Sequence, residues 1–328
     1  MSAVLNAALP IFALILAGHL CGRRGLLGPH ATDSLNGFVV WLALPALLFG
    51  AMARVTWAEI DHPAFLASFG GGMAATFAVS FGLDRRRSHR LADRAIEGLD
   101  AAYGNTGFMG ISLCLAAFGP AALPAAIIAT VLTASGLFAA AIVLIEADTG
   151  RGRHAPLPAG AAPGAARRPG PLRVLRTVAA SLGRSPLLVA PALGLALAAT
   201  GIPLPAPLRH FATLLGDAAS PCALVTIGLF LARPAPAGGG ALRGTVARLV
   251  ALKLLFQPAL TAILAFGIFP MPAPWPHAAL LLSALPTGTG PFMLAKLHGR
   301  EAAVTSRAIL VSTVLSVATI SLLVARLG

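Results

Sequence analysis

Apolar residues run through this chain in long continuous blocks, and the polar residues collect between the blocks. A bilayer core takes about 20 apolar residues per helix. Blocks of that length fall at 4–21, 36–53, 63–83, 96–118, 122–145, 186–202, 212–232, 246–269, 277–297 and 303–326. The pattern predicts ten membrane-spanning helices, of which the first, fifth and tenth are the most apolar. Strands of a membrane barrel would alternate apolar and polar positions in segments of about 10 residues, so continuous blocks exclude that fold. The first block, Val4–Leu20, has no basic residues before it and ends in Arg23 and Arg24. That is the reverse of a secretory signal, and the block reads as the first membrane helix.

Composition agrees. Of 328 residues, 57% are hydrophobic and 11% charged, with a mean hydropathy of +0.84. Soluble globular chains carry about 25% charged residues, so both a soluble and a disordered protein are excluded. The net charge of +13 would suggest nucleic acid in a soluble protein. Here the basic residues sit in clusters between blocks, which is a signature of topology and not of nucleic-acid binding. Counted by alternate loops, 20 Lys and Arg lie on one side and 3 (Arg54, Arg209 and Arg326) on the other. Cytoplasmic loops carry such an excess, so both termini are expected outside. Lys253 and Lys296 are the only lysines. The preference for Arg, with the Ala and Gly content, points to a GC-rich bacterial genome and hence to a bacterial inner membrane. Cys21, Cys114 and Cys222 have no disulfide or metal spacing, and no cofactor is implied.

The longest loop, 147–185, is rich in Gly, Pro, Ala and Arg (as in Ala161–Gly170) and reads as a flexible cytoplasmic linker. It divides the chain into halves, 1–146 and 186–328, of five spans each. An odd number of spans per half forces opposite orientations, which is the arithmetic of an inverted repeat. The outer loops are short and Pro-rich. They carry Trp57 and Trp275, where an interfacial aromatic belt is expected.

Two spans are interrupted. The fourth contains Tyr103-Gly104-Asn105-Thr106-Gly107-Phe108-Met109-Gly110, and the ninth contains Leu285-Pro286-Thr287-Gly288-Thr289-Gly290-Pro291. Each is fourth of five in its half. The breaks are offset by 183 residues (105 to 288), close to the 180 between Glu146, at the end of the fifth span, and Arg326, at the end of the tenth. Gly permits unusual dihedrals and Pro removes a backbone donor, so the backbone unwinds. An unpaired backbone group costs several kcal/mol in lipid and is tolerated only inside protein or beside a polar cavity. A half-helix N-terminus there offers free N–H groups and a partial positive charge. Asn105, Thr106, Gly107, Pro286, Thr287, Gly288, Thr289 and Gly290 are therefore the candidate binding residues, and the ligand they suit is a carboxylate. One break alone would equally be a structural kink; two at matching places point to a transporter site.

The sequence resembles the bacterial members of the auxin efflux carrier family, which include malonate-transporter-like proteins. The likeness lies in Leu9–Leu27, Trp41–Phe49, Gly104–Leu113, Ser185–Gly194 and Ala279–Ala295, with the Asn-Thr-Gly-Phe-Met-Gly stretch the most specific. The resemblance implies an all-α membrane fold of ten helices in two inverted repeats. It implies a scaffold domain from helices 1, 2, 6 and 7 and a transport domain from helices 3–5 and 8–10. Helices 4 and 9 would cross at their breaks, where substrate binds. It also implies a homodimer and a small organic anion as substrate. Ser112 stands where the family often has Pro, and the second break is unusually glycine-rich. The plant carriers' Asn-Pro-Asn-Thr-Tyr-type crossing is absent, which argues against auxin itself.

Lys253 lies about 10 Å inside span eight at 1.5 Å per residue. Two readings stand: attraction of the substrate anion, or snorkelling to the cytoplasmic surface. Asp100, five residues before the first break, would either take up a coupled proton or join Glu97 in pairing with Arg94. Asp217 reads as a solvated outer position, Glu146 as interfacial, and His19 as structural. Pro45 and Pro221 are expected to kink the second helix of each half, and Asn36 to cap span two, in competition with Asp33 and Ser34.

Together these features predict a secondary transporter of a small organic anion, with a proton or sodium ion as coupling partner. The alternatives are a sodium- or proton-coupled carrier of the bile-acid-transporter type, whose crossing would need intramembrane acids, and a membrane sensor. The sequence has no ATP-binding P-loop, no G-x-S-x-G element and no H-E-x-x-H, which argues against a pump and an intramembrane enzyme.

Overall fold

The computed structural model describes residues 2–54, 61–83, 90–152, 186–232 and 239–327. Trp57, Arg85, Arg86, Arg87, Arg233 and the linker from residue 153 onward lie outside them. The described chain is helical, with one isolated antiparallel bridge. The helices are α1 (Ser2–Arg23), α2 (Ala31–Met52), α3 (Pro63–Leu83), α4 (Leu91–Ala102), α5 (106–118), α6 (120–152), α7 (Pro186–Ala199), α8 (Ala206–Leu231), α9 (239–268), α10 (Trp275–Ser283), α11 (Gly290–Leu297) and α12 (Ala303–Leu327). Six of these, namely α2, α3, α6, α8, α9 and α12, are long and apolar enough to cross a membrane. The two interruptions expected from the sequence fall between α4 and α5 and between α10 and α11.

The outward surface is apolar and the interior holds hydroxyls, as expected of a protein dissolved in lipid. Trp41, Leu193, Phe211, Ile263 and Leu322 are exposed, whereas Ser68, Thr76, Thr226, Ser312 and Ser316 are buried. These five hydroxyls donate one turn back along their own helices, as in Thr76 to the Gly72 carbonyl (2.7 Å) and Thr226 to that of Cys222 (2.6 Å). They are thereby satisfied without water.

Two prolines widen the helices around them. Pro lacks an N–H and its ring crowds the carbonyl four residues back, so the preceding turn opens to an i−5 bond. In α2 the wide turn Val39–Ala43 closes with the Leu44 N–H on the Val39 carbonyl, directly before Pro45. In α9 the wide turn Leu252–Phe256 closes with the Gln257 N–H on Leu252, directly before Pro258. The irregularity expected at Pro45 is present. Near Pro221 a break in regular helix falls at Ala218.

Two expectations are corrected. α2 begins at Ala31, so Asn36 caps nothing; it lies buried inside the helix. Ser34 is not the cap either, because His30 holds that position. α6 continues to Gly152, past the expected linker start at 147. Asp217 is exposed, as anticipated, although it sits within the long α8 run.

α1 and α8 meet backbone to backbone through glycines. A Cβ on Gly228 would lie 2.1 Å from the Ile15 carbonyl oxygen, and one on Gly18 would lie 2.2 Å from that of Val225. Small residues allow the close approach on which membrane helix packing depends. Gly228→Ala is therefore expected to force the helices apart, at about 1–3 kcal/mol, and to lower the melting temperature in detergent. Gly244→Ala, at a helical position with open space around it, is expected to leave the melting temperature the same or slightly higher.

Candidate functional site

The two breaks touch. Gly104 and Thr287 form the antiparallel bridge, in which the Asn105 N–H donates to the Pro286 carbonyl and the Gly288 N–H to that of Tyr103, both at 2.9 Å. Each unwound segment thus satisfies part of the other. A helix that stops leaves carbonyls without partners, and the partners found here come from across the chain. At the end of α4, the Asp100 carbonyl accepts from the Thr287 hydroxyl (2.8 Å) and the Ala102 carbonyl from the Gln257 amide (3.3 Å). At the end of α10, the Ser283 carbonyl accepts from the Lys253 ammonium (2.7 Å). The Thr287 N–H donates to the Ser312 hydroxyl of α12 (3.1 Å).

These bonds sort the candidate residues. Thr287, 1% exposed, has both its hydroxyl and its N–H engaged inside the junction. Pro286, Gly288 and Gly290 are buried in the packing of the second break, and Thr106 is 2% exposed. Asn105 stands before the first turn of α5 with a half-buried side chain that makes no capping bond. Gly107 is exposed and Thr289 half-buried, each in the opening turn of its half-helix. Asn105, Gly107 and Thr289 are the accessible members of the set. They lie beside the N-termini of α5 and α11, whose first N–H groups have no carbonyl one turn back.

The glycines of the second break are required by Tyr103. A Cβ on Gly288 would lie 2.9 Å from the tyrosine ring. One on Gly290 would lie 2.7 Å from the ring and 3.0 Å from Phe138. Tyr103 in turn leans on Phe138, with ring centroids 5.8 Å apart.

Lys253 is fully buried and bound to Ser283, which overturns the snorkelling reading. Asp100 is also fully buried. One carboxyl oxygen accepts from Thr305 of α12 at 2.8 Å, and the other has no partner among the described residues. The alternative pairing with Arg94 is not formed: Glu97 pairs with Arg248 (2.7 Å), while Arg94 donates to the Phe81 carbonyl and lies 4.0 Å over its ring. At the same end of the bundle Arg300 pairs with Asp93, and Lys296 of α11 with Asp33 of α2 (2.8 Å). His298, beside this cluster, is held below the usual histidine range, chiefly by burial. Gln257, Thr305 and Ser312 were not singled out from sequence. The one available signal was Gln257, which stands four residues after Lys253 and just before a proline.

An apolar helical bundle with two interrupted helices bridged at their breaks fits a membrane transporter. The comparisons with known proteins agree. Residues 3–324 match the family described as membrane transport protein, and the chain belongs to it. The family is that of the auxin efflux carriers, so the resemblance in the sequence is borne out. The chain is also 32% identical to a protein of Rhizobium meliloti (strain 1021) named "Putative malonate transporter", over 98% of this chain and 95% of the other.

Gly290→Ala is expected to displace Tyr103, opening the junction and lowering thermal stability by about 1–3 kcal/mol. Tyr103→Ala in the same chain makes room for the new methyl. Recovery of the melting temperature in the double variant, relative to either single change added independently, checks the contact.

Proposed function

We propose that this protein is a secondary active transporter that moves a small carboxylate, of the size and charge of malonate, by alternating access. The observation that carries this reading is the junction itself: two half-helix N-termini beside an uncommitted Asn105 amide, deep in an apolar bundle. Free N–H groups and helix dipoles favour an anion, and Lys253, when protonated, adds to the positive potential. The name of the Rhizobium meliloti relative supports malonate as the first substrate to try. Ten spans in two inverted five-helix repeats, both termini outside in a bacterial inner membrane, complete the proposed architecture. Helices 1, 2, 6 and 7 would serve as scaffold, and helices 3–5 and 8–10 as the moving domain. The scaffold would pair two copies into a homodimer, as the resemblance implies.

In this mechanism the anion enters between the two domains and accepts hydrogen bonds from the first turns of α5 and α11 and from Asn105. Movement of the junction as a unit then exposes it on the other side. The backbone bridge keeps the two half-helices together through that movement. Asp100, buried with one free oxygen, is the residue proposed to carry a coupled proton.

Purified protein in liposomes should take up labelled malonate or a close carboxylate under a proton gradient. Loss of a hydrogen bond to a charged group costs about 1.5–3 kcal/mol, so Asn105→Ala should weaken apparent affinity about 10- to 100-fold at unchanged melting temperature. Wild-type flux for none of the mono- and dicarboxylates would sink the reading, and an unchanged affinity in the variant would remove Asn105 from the site.

A further inference from the structure

The ends of α4 and α10 meet at the junction with their negative poles. Carbonyl oxygens at half-helix ends and in unwound backbone are the groups that coordinate small monovalent cations in transporters built on broken helices. In this chain one oxygen at each helix end is taken by a side chain of α9. Lys253 donates to the Ser283 carbonyl at 2.7 Å, and Gln257 donates to the Ala102 carbonyl at 3.3 Å. The two residues are one turn apart on α9, in and directly after the wide turn that precedes Pro258. The ammonium also reaches the first break: a Cβ on Gly104 would lie 3.6 Å from it. Lys253 is fully buried, and among the described residues no carboxylate is paired with it. An unpaired cation held in such surroundings is costly unless dipoles replace its water, and the end of α10 supplies them.

We propose that the Lys253 ammonium is the resident cation of the junction, occupying by covalent tether the place a sodium ion would take, so that transport proceeds without sodium. This inference rests on the transporter reading above and extends it to the choice of coupling ion. Lysine is a compact point charge with three donors on a flexible stem, the side chain best able to stand in for a small cation among carbonyl oxygens. Gln257 supplies the neutral donor for the second helix end, so a single added charge serves both breaks.

The test compares wild type with Lys253→Ala in liposomes, with sodium, choline or ethylammonium chloride as the salt. Wild-type malonate uptake should be the same within twofold in sodium and in choline. The variant should lose at least tenfold in choline and recover part of that loss in sodium or in ethylammonium, which replaces the missing side chain. A merely structural role for Lys253 would not give recovery specific to small cations. Wild-type uptake that requires sodium overturns the proposal, and so does full activity of the variant in choline or a loss that no cation restores.

Melting temperatures in the same salts read the cation without any substrate. Wild type should be indifferent to sodium, and the variant should be stabilised by sodium and ethylammonium but not by choline. If no carboxylate is carried at all, the function proposed above fails, while the melting series still decides the role of Lys253. If the variant does not fold, stabilisation of wild type by sodium over choline would by itself contradict the proposal.

Discussion

The structure depends on what happens to backbone groups when a helix stops inside an apolar bundle. Two helices stop here, and each leaves N–H and C=O groups that lipid cannot satisfy. The double hydrogen bond between residues 103–105 and 286–288 answers part of this, because each break supplies what the other lacks. The bridge therefore makes one unit of two elements 183 residues apart in sequence, and any movement of one must carry the other.

The remaining carbonyls are answered from α9 and from Thr287, and this gives α9 a particular place in the fold. Pro258 opens the turn before it, and that turn holds Lys253 next to one helix end and Gln257 next to the other. Thr287, the other side-chain donor to these ends, ties the second break to the carbonyl of Asp100, whose own carboxyl is held by Thr305 of α12. The junction is thus braced by α9 behind it and α12 beside it. Asn105, Gly107 and Thr289 remain at least partly exposed. The division of labour follows from burial: a hydroxyl with no water nearby bonds to protein, and an amide at the opening keeps its capacity for a ligand.

The breaks could be read from the sequence because Gly and Pro act locally, and their meeting because they occupy matching places in two halves. What could not be read was which polar residues would be consumed in holding the breaks together. Thr287 and Thr289 look alike in sequence; only the position of Asp100 on a neighbouring helix distinguishes them. Gln257 is a single neutral polar residue in an apolar run, and its role depends on where α4 ends in space. The start of α2 was set too late because its first turn, with Thr32, Asp33 and Ser34, is polar. Thr32 is nonetheless buried and Asp33 is held by Lys296 of α11, contacts that no local pattern reports.

An anion held at the opening turns of α5 and α11 would cover Thr289. The most direct measurement is substrate protection at Thr289. The native Cys21, Cys114 and Cys222 are replaced by Ser, Thr289→Cys is introduced, and the rate of labelling by a membrane-permeant maleimide is followed with and without carboxylate. The account predicts labelling that slows as the carried carboxylate is added, half-maximally near its transport KM, and that an uncarried anion leaves unchanged. A carboxylate that is transported but leaves the labelling rate untouched at saturation would show that the anion passes elsewhere.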